Sequence, residues 1–259
     1  MTRKLLWRTR KKTPSARNLT SLALDDVRSI LNSADIAKEW AAYSPRLSEL
    51  CQIEDGKTGG VNPGDRRVLF YLVRAFRPAR MLEIGTHVGA STLHIVAALM
   101  RGGWEQIPRL VTVDIEDVND SPHSCWRQVG LAKSPKQMVE ELSATVEIAF
   151  VTDDSRHFFA TTRETFDFIF LDGDHAAEIV YEDIVGSLDV INKNGLIVLH
   201  DYFPGGRSLW PAGPGLFGPF TAAEKVRATG VAIKVIPLGS LPWPTKLGSH
   251  VTSLALITR

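Results

Sequence analysis

Residues Met81–Thr92 read MLEIGTHVGAST, an apolar run that passes through two glycines into a segment typical of a helix. Glycine adopts backbone conformations that other residues avoid, so Gly85 and Gly89 predict a tight turn between a buried strand and a helix. Glu83 brings a carboxylate to this turn, two residues before the first glycine. The turn therefore predicts a place where the backbone approaches a ligand that carries hydroxyl or amino groups.

Short apolar strands alternate with helical segments around this turn. The strands are expected in ARMLEIG, RLVTVDIE, VEIAFV, FDFIFLD and GLIVLHD. Five almost wholly apolar strands between helices predict a parallel sheet that is covered on both faces. VAIKVIPL and VTSLALITR are joined by a short loop and predict an antiparallel hairpin. The predicted fold is α/β, a Rossmann-like, doubly wound, seven-stranded sheet of five parallel strands plus a C-terminal antiparallel hairpin.

Three parts are expected along the chain. Seven cations crowd the first seventeen residues without a following apolar run, so residues 1–20 predict a disordered basic tail and no secretory signal. Helical spacing of apolar residues predicts an N-terminal helical extension in residues 21–60. Residues 61–259 are expected to form the α/β domain, which opens with a helix that begins after Asn62 and reaches Phe76.

Composition disfavours several classes of protein. The 259 residues carry a net charge of +1, whereas a nucleic-acid partner is usually met by a strong basic excess. Cys51 and Cys125 are too few for a disulfide scaffold and are typical of a reducing compartment. No apolar run approaches the roughly 20 residues that a bilayer span needs. We therefore expect a cytoplasmic protein with no nucleic-acid and no membrane partner.

Polar and acidic residues follow the carboxyl end of every predicted parallel strand, which is where open parallel sheets bind ligands. Asp114 is expected to accept hydrogen bonds from ribose hydroxyls, and Asp153 or Asp154 to face an adenine amino group. The free N–H groups that begin the helix after the glycine turn favour a carboxylate. The expected cofactor-binding residues are Glu83, Gly85, Thr86, Gly89, Ser91, Thr92, Asp114, Asp153, Asp154 and Asp172.

These segments, in this order, resemble the class I S-adenosylmethionine-dependent methyltransferases. The matching stretches are LEIGTHVGAST, VDIE, VTDDS, FDFIFLDGDHAAEIVYEDI and GLIVLHDYFPGG, roughly residues 79–206. The chain is most similar to the small-molecule O-methyltransferases typified by the macrocin and novobiocin sugar methyltransferases. The resemblance implies S-adenosyl-L-methionine as cofactor and a small-molecule acceptor hydroxyl on a sugar, a phenol or a secondary metabolite. It also implies self-association into a homo-oligomer.

The resemblance further implies a divalent cation, with Mg²⁺ as the expected ion, held by Asp172, His200 and Asp201. His200 stands where the family often has an acid, which makes this ligand set less suited to Mg²⁺. In the alternative, Asp172 contacts cofactor or substrate and a hydrogen bond holds His200 at the edge of the core. His175 is a candidate base, or else a cap of the following helix. The expected catalytic residues are His175, Asp172 and His200.

Two other functions stay open. An NAD-dependent oxidoreductase could use the same sheet, but His87 stands where the middle glycine of the dinucleotide fingerprint would fall. A cofactor-binding protein without transfer activity has the same fold.

The stretch from Phe203 to Phe220 is rich in glycine and proline yet carries Trp210 and Phe217, and it predicts a lid without helix or central strand. A plain surface loop and a partner contact are the alternatives for this stretch.

Overall fold

The computed structural model describes residues 22–52, 60–100, 106–142, 145–210 and 213–259. The predicted basic tail lies outside these residues. The strands are β1 Arg80–Ile84, β2 Arg109–Asp114, β3 Glu147–Thr152, β4 Phe166–Leu171, β5 Ile191–Leu199, β6 Lys234–Pro237 and β7 Ala255–Thr258. The helices are α1 Leu24–Leu31, α2 Ala34–Leu50, α3 Pro63–Phe76, α4 Ala90–Met100, α5 Cys125–Gln128, α6 Pro135–Glu141, α7 Ser155–Thr161, α8 Ala177–Val190 and α9 Gly218–Ala228.

The seven strands form one sheet in the order β3-β2-β1-β4-β5-β7-β6. β1 to β5 pair in parallel, whereas β7 runs antiparallel to both β5 and β6. The predicted fold class is therefore confirmed. Because the strand order reverses between β1 and β4, their carboxyl ends open a crevice at that point of the sheet.

Side chains of a strand alternate between the two faces of the sheet. Both faces of this sheet carry apolar side chains, and helices cover both. In β4, Phe168 and Phe170 belong to the core under α3 and α4, whereas Ile169 and Leu171 belong to the core under α8 and α9. The N-terminal helices α1 and α2 pack on α3. Trp40 of α2 lies against the ring of Phe70, with ring centroids 5.3 Å apart.

Local signals set the helix starts next to the site. The Asn62 side chain accepts a hydrogen bond from the backbone N–H of Asp65, and Pro63 is the first residue of α3. Ser134, Pro135 and Gln137 match the residues of a capping box and predict the start of a helix, and Ser134 and Gln137 form this box at the start of α6. Both starts were predicted from the same residues, and both are confirmed.

The stretch from Phe203 to Phe220 differs from its prediction. Residues Pro204–Gly206 form a 3-10 turn, and Gly218–Phe220 form the first turn of α9, so the expectation of no helix was wrong. Proline is tolerated in the first turn of a helix because its missing N–H would have no intrahelical partner there. The short helix α5 was also not predicted. In the described part of the chain, no helix is long and apolar enough to cross a bilayer.

Candidate functional site

A cavity of about 520 Å³ opens at the carboxyl ends of β1, β2, β3 and β4. Its volume is in the range of small-molecule sites. Most of the predicted site residues line it: Gly85, Thr86, Ser91, Asp114, Asp153, Asp154, Asp172 and His175. Residues 203–210 and 213–217 do not line this cavity, so the described part of the predicted lid contributes no lining residue before α9.

The glycine turn allows β1 and β4 to approach each other. Gly85 has a φ of 95°, and a Cβ atom there would lie 2.1 Å from the carbonyl oxygen of Asp172. Gly89, with a φ of 76°, does not line the cavity but lets the turn pack on Pro135. His87 also has a positive φ, 49°, which is uncommon for a residue with a side chain. The turn is therefore set by long-range packing as well as by local conformation.

Asp114 holds the glycine turn from the end of β2. Its Oδ2 accepts hydrogen bonds from the backbone N–H groups of Thr86 at 3.0 Å and His87 at 2.8 Å. Its Oδ1 accepts one from the backbone N–H of Glu116 at 3.0 Å. A carboxylate has about four acceptor positions, so Asp114 can still accept from a ligand in the cavity.

Glu83 and Thr92 lie behind the cavity wall and do not line it. The Glu83 carboxylate is fully buried, and its Oε2 accepts hydrogen bonds from the hydroxyls of Thr92 at 2.6 Å and Thr112 at 2.8 Å. Burial raises the pKa of Glu83 to about 7. Glu83 and Thr92 were predicted to contact a cofactor directly. Their side chains instead bind each other beneath the turn, outside the cavity lining.

Asp153 and Asp154 line the cavity, but both already have partners. Asp153 lies 2.8 Å from the Nδ1 atom of His157. Asp154 caps α7 and pairs with the guanidinium group of Arg156 at 2.8 Å, and this hydrogen bonding lowers the pKa of Asp154 to about 2. A ligand amino group would therefore share these carboxylates with existing donors.

His200 lies at the centre of a carboxylate cluster at the other end of the site. Its Nδ1 is 2.7 Å from Asp172 Oδ1 and 3.6 Å from Asp201 Oδ2. Its Nε2 faces Asp65 Oδ2 at 3.3 Å. Burial alone would lower the pKa of His200, but the charges of Asp172 and Asp201 outweigh it and hold this pKa well above its usual value.

His175 projects into the cavity from the loop after β4 and pairs with Asp201. Its Nε2 is 2.8 Å from Asp201 Oδ2, and 47% of its side chain is exposed. The hydrogen bond to Asp201 raises the pKa of His175. Asp201 has a φ of 51°, a strained conformation for which aspartate and asparagine are among the tolerated residues. The Ser253 hydroxyl donates to its other oxygen at 3.1 Å.

The predicted cation ligands do not fit Mg²⁺. Asp172 and Asp201 are close together, but His200 directs an N–H at Asp172 and therefore offers no lone pair there. One atom from each of Asp172, His175 and Asp201 does lie within 4.8 Å of the others. In this second set, His175 and Asp201 are already hydrogen-bonded to each other, and Mg²⁺ prefers oxygen ligands.

Sequence reasoning missed two buried acids of the site. Asp65 is fully buried in the first turn of α3, where an acid is usually explained as a helix-start residue. Asp183 of α8 lines the cavity, and burial raises its pKa to about 6. Asp183 lies within α8 and not at a strand end, so only the packing of α8 on the sheet brings it here.

Comparisons with known proteins agree with this fold. Residues 82–202 match the sequence family described as "Methyltransferase domain". A comparison with curated proteins gives no significant match. The match over residues 82–202 and the order of the strands both agree with the fold of the class I methyltransferases.

Solved structures of three proteins with this fold are similar over most of the chain. The O-methyltransferase TomG from Streptomyces achromogenes, involved in tomaymycin synthesis and solved with S-adenosylmethionine, is 19% identical with a TM-score of 0.54, covering 88% of this chain and 90% of TomG. The Bacillus cereus O-methyltransferase solved with S-adenosylhomocysteine is 17% identical with a TM-score of 0.53, covering 94% and 100%. PaMTH1 from Podospora anserina, also bound to S-adenosylhomocysteine, is 16% identical with a TM-score of 0.52, covering 90% and 94%.

Proposed function

We propose that the chain is an S-adenosylmethionine-dependent O-methyltransferase that acts on a hydroxyl of a small molecule. One observation carries this proposal: a single cavity joins the glycine turn to a half-exposed imidazole, His175, that is paired with a carboxylate. The first end suits a nucleoside cofactor, and the second end suits removal of a proton. The family match supports the same activity, and so does the fold shared with the O-methyltransferases from Streptomyces achromogenes and Bacillus cereus.

The cofactor would lie along the ends of β1, β2 and β3. Ser91, at the start of α4, would meet the cofactor's carboxylate together with the free backbone N–H groups of that helix start. Asp114 would accept from the ribose hydroxyls with its remaining acceptor positions. Ile115, which is 72% exposed and lines the cavity, would cover one face of the adenine. Glu83 would act indirectly, by supporting Thr92 beneath the turn.

The acceptor would lie at the ends of β4 and β5, beside Asp172 and His175. S-adenosylmethionine supplies an activated methyl group, so the protein's task is alignment and removal of the acceptor's proton. Neutral His175 would take the hydroxyl proton on one ring nitrogen as the oxygen bonds to the methyl carbon and the carbon–sulfur bond breaks. Asp201 would orient the ring and stabilise its protonated form. No step needs a metal ion.

Calorimetry tests the cofactor assignment directly. We expect saturable heat with S-adenosylmethionine and with S-adenosylhomocysteine, and no heat with NAD. Binding of NAD with no binding of either sulfur compound would favour the oxidoreductase alternative and end this proposal.

Turnover across a panel of sugar and phenol acceptors, with and without EDTA, tests the transfer itself. We expect methylated product with at least one acceptor, and we expect His175→Gln to lose it while keeping cofactor binding. His123→Gln is the matched control, because His123 is exposed and does not line the cavity. Cofactor binding without turnover on any acceptor would favour the binding-protein alternative. The homo-oligomer and the cytoplasmic location stay predictions, and size-exclusion chromatography with light scattering checks the first.

A further inference from the structure

His200 is enclosed by three carboxylates that come from different parts of the fold. Asp65 belongs to α3, Asp172 follows β4, and Asp201 follows β5. Both ring nitrogens face oxygens of this cluster, at 2.7 Å for Nδ1 to Asp172 and 3.3 Å for Nε2 to Asp65. Only 8% of the residue is exposed. The ring therefore occupies the space between the carboxylates.

Asp65 is itself held from three sides, so its carboxylate has a fixed position beside the ring of His200. The Thr252 hydroxyl donates to Oδ1 of Asp65, and the Asn62 amide donates to Oδ2 at 2.7 Å. The Ser253 hydroxyl lies 3.4 Å from Oδ2 of Asp65 and 3.1 Å from Oδ1 of Asp201. Ser253 thus links the carboxylates on the two sides of His200.

The donor chemistry of this cluster opposes a metal ion. A carboxylate has no proton to give at neutral pH, so the nitrogen must donate in the contact between His200 and Asp172. A nitrogen that carries this proton has no lone pair for a metal. The cation-binding role that family resemblance implies for position 200 is therefore replaced here by a hydrogen-bond donor.

We infer that His200, seated on Asp65, bridges Asp172 and Asp201 in the place of a divalent cation, so that this centre works without a bound metal. The bridge keeps two neighbouring carboxylates close together, and the Oδ2 atom of Asp201, 3.6 Å from His200, makes its shorter contact with His175 at 2.8 Å. The inference relies on the proposed function only for the role of His175, since the contacts around His200 do not depend on a cofactor.

Mn²⁺ binding is the direct test, because Mn²⁺ prefers the same oxygen ligands as Mg²⁺ and its electron paramagnetic resonance signal reports the free ion. The wild-type protein, free and loaded with S-adenosylhomocysteine, is titrated with Mn²⁺ and competed with Mg²⁺. We expect no saturable binding below about 1 mM. Saturable, stoichiometric binding that Asp201→Asn abolishes would overturn the inference, whatever the outcome of the cofactor experiments.

His200→Asp provides the converse test, since it removes the bridging ring and adds a fourth carboxylate to the three that surround it. We expect Mn²⁺ affinity to rise at least about tenfold over the wild type. His123→Asp, which adds an acid on an exposed loop, is the control and should leave Mn²⁺ affinity unchanged. A folded His200→Asp protein, as judged by circular dichroism, that gains no Mn²⁺ affinity contradicts the inference. If this variant does not fold, the wild-type titration decides alone.

Discussion

The two ends of the cavity are built in different ways. At the glycine turn, one carboxylate from β2 orders the backbone: Asp114 accepts N–H groups of Thr86 and His87. At the far end, side chains bind side chains across α3, β4 and β5, through His200 and His175. The first end is therefore an ordered backbone turn, which suits the binding of a cofactor in one orientation. The second is a charged network whose geometry depends on several elements at once.

Gly85→Ala should break the first end with the largest effect. The new Cβ would lie 2.1 Å from the Asp172 carbonyl oxygen in a positive-φ conformation, and we expect about 4 kcal/mol loss of unfolding free energy, plus loss of S-adenosylhomocysteine binding. Gly130→Ala is the control, because Gly130 has a φ of 77° but no atom within 4 Å of a Cβ. Gly130→Ala should lose about 1 kcal/mol of unfolding free energy, from the strained backbone conformation alone. Urea denaturation and calorimetry measure both, and equal losses would show that the contact is unimportant.

Asp201→Asn should break the second end without disturbing the first. Asparagine tolerates the positive φ of this residue, but it no longer holds His175 as a carboxylate does. With an acceptor from the panel, we expect kcat to fall about 100-fold. The affinity for S-adenosylhomocysteine should stay unchanged. Asp189→Asn, at an exposed position of α8, is the control.

The pH dependence of the same variant sharpens the comparison. His175 accepts a proton only when neutral, so wild-type kcat should rise with pH through the pKa of His175, which Asp201 holds above its usual value. In Asp201→Asn this rise should move to lower pH. A pH profile that is identical in the two proteins would remove His175 as the base.

Glu83→Gln tests the buried layer beneath the glycine turn. The pKa of Glu83 is about 7 in the folded protein and 4.5 ordinarily, so the folded state binds the extra proton between these values. The stability that the protonated Glu83 contributes is fully present below about pH 4.5 and is lost as the pH rises through 7. From about pH 5 to pH 8, the free energy of unfolding of the wild type should therefore fall by about 2.5 kcal/mol relative to that of Glu83→Gln. Urea denaturation at both pH values measures this difference, with Glu140→Gln on the surface of α6 as the control.

Asp154→Ala should have the smallest effect. It removes the cap of α7 and is expected to lower stability by about 1 kcal/mol, whereas Asp154→Ser keeps a capping oxygen and should remain near the wild type. Thermal unfolding compares the two variants. If both weaken S-adenosylhomocysteine binding equally, Asp154 contacts the cofactor; if neither does, the carboxylate serves only the helix and Arg156.

The glycine end was largely predictable and the acidic end was not. Asp114 ends β2, Gly85 and Asp172 directly follow β1 and β4, and parallel strands bring such ends to one edge of the sheet. The burial of Glu83 could not be read from its position beside the glycine, because a strand residue faces either the crevice or the core according to its register. The partners of His200 and His175 lie 28 and 26 residues away along the chain, and Asp65 lies farther still.

The amino-acid sequence alone determined the order of the seven strands and of the longer helices, the glycine turn, the helix caps at Asn62 and Ser134, and the set of polar strand ends. These features depend on residue periodicity and on backbone conformation, which act over a few neighbouring residues. Only the tertiary structure decided that His200 faces Asp65 and Asp172, and that Asp201 serves His175. Hydrogen bonds between distant side chains depend on how α3 packs on the sheet and how the strands pair within it. A pattern of neighbouring residues in the sequence does not predict that arrangement.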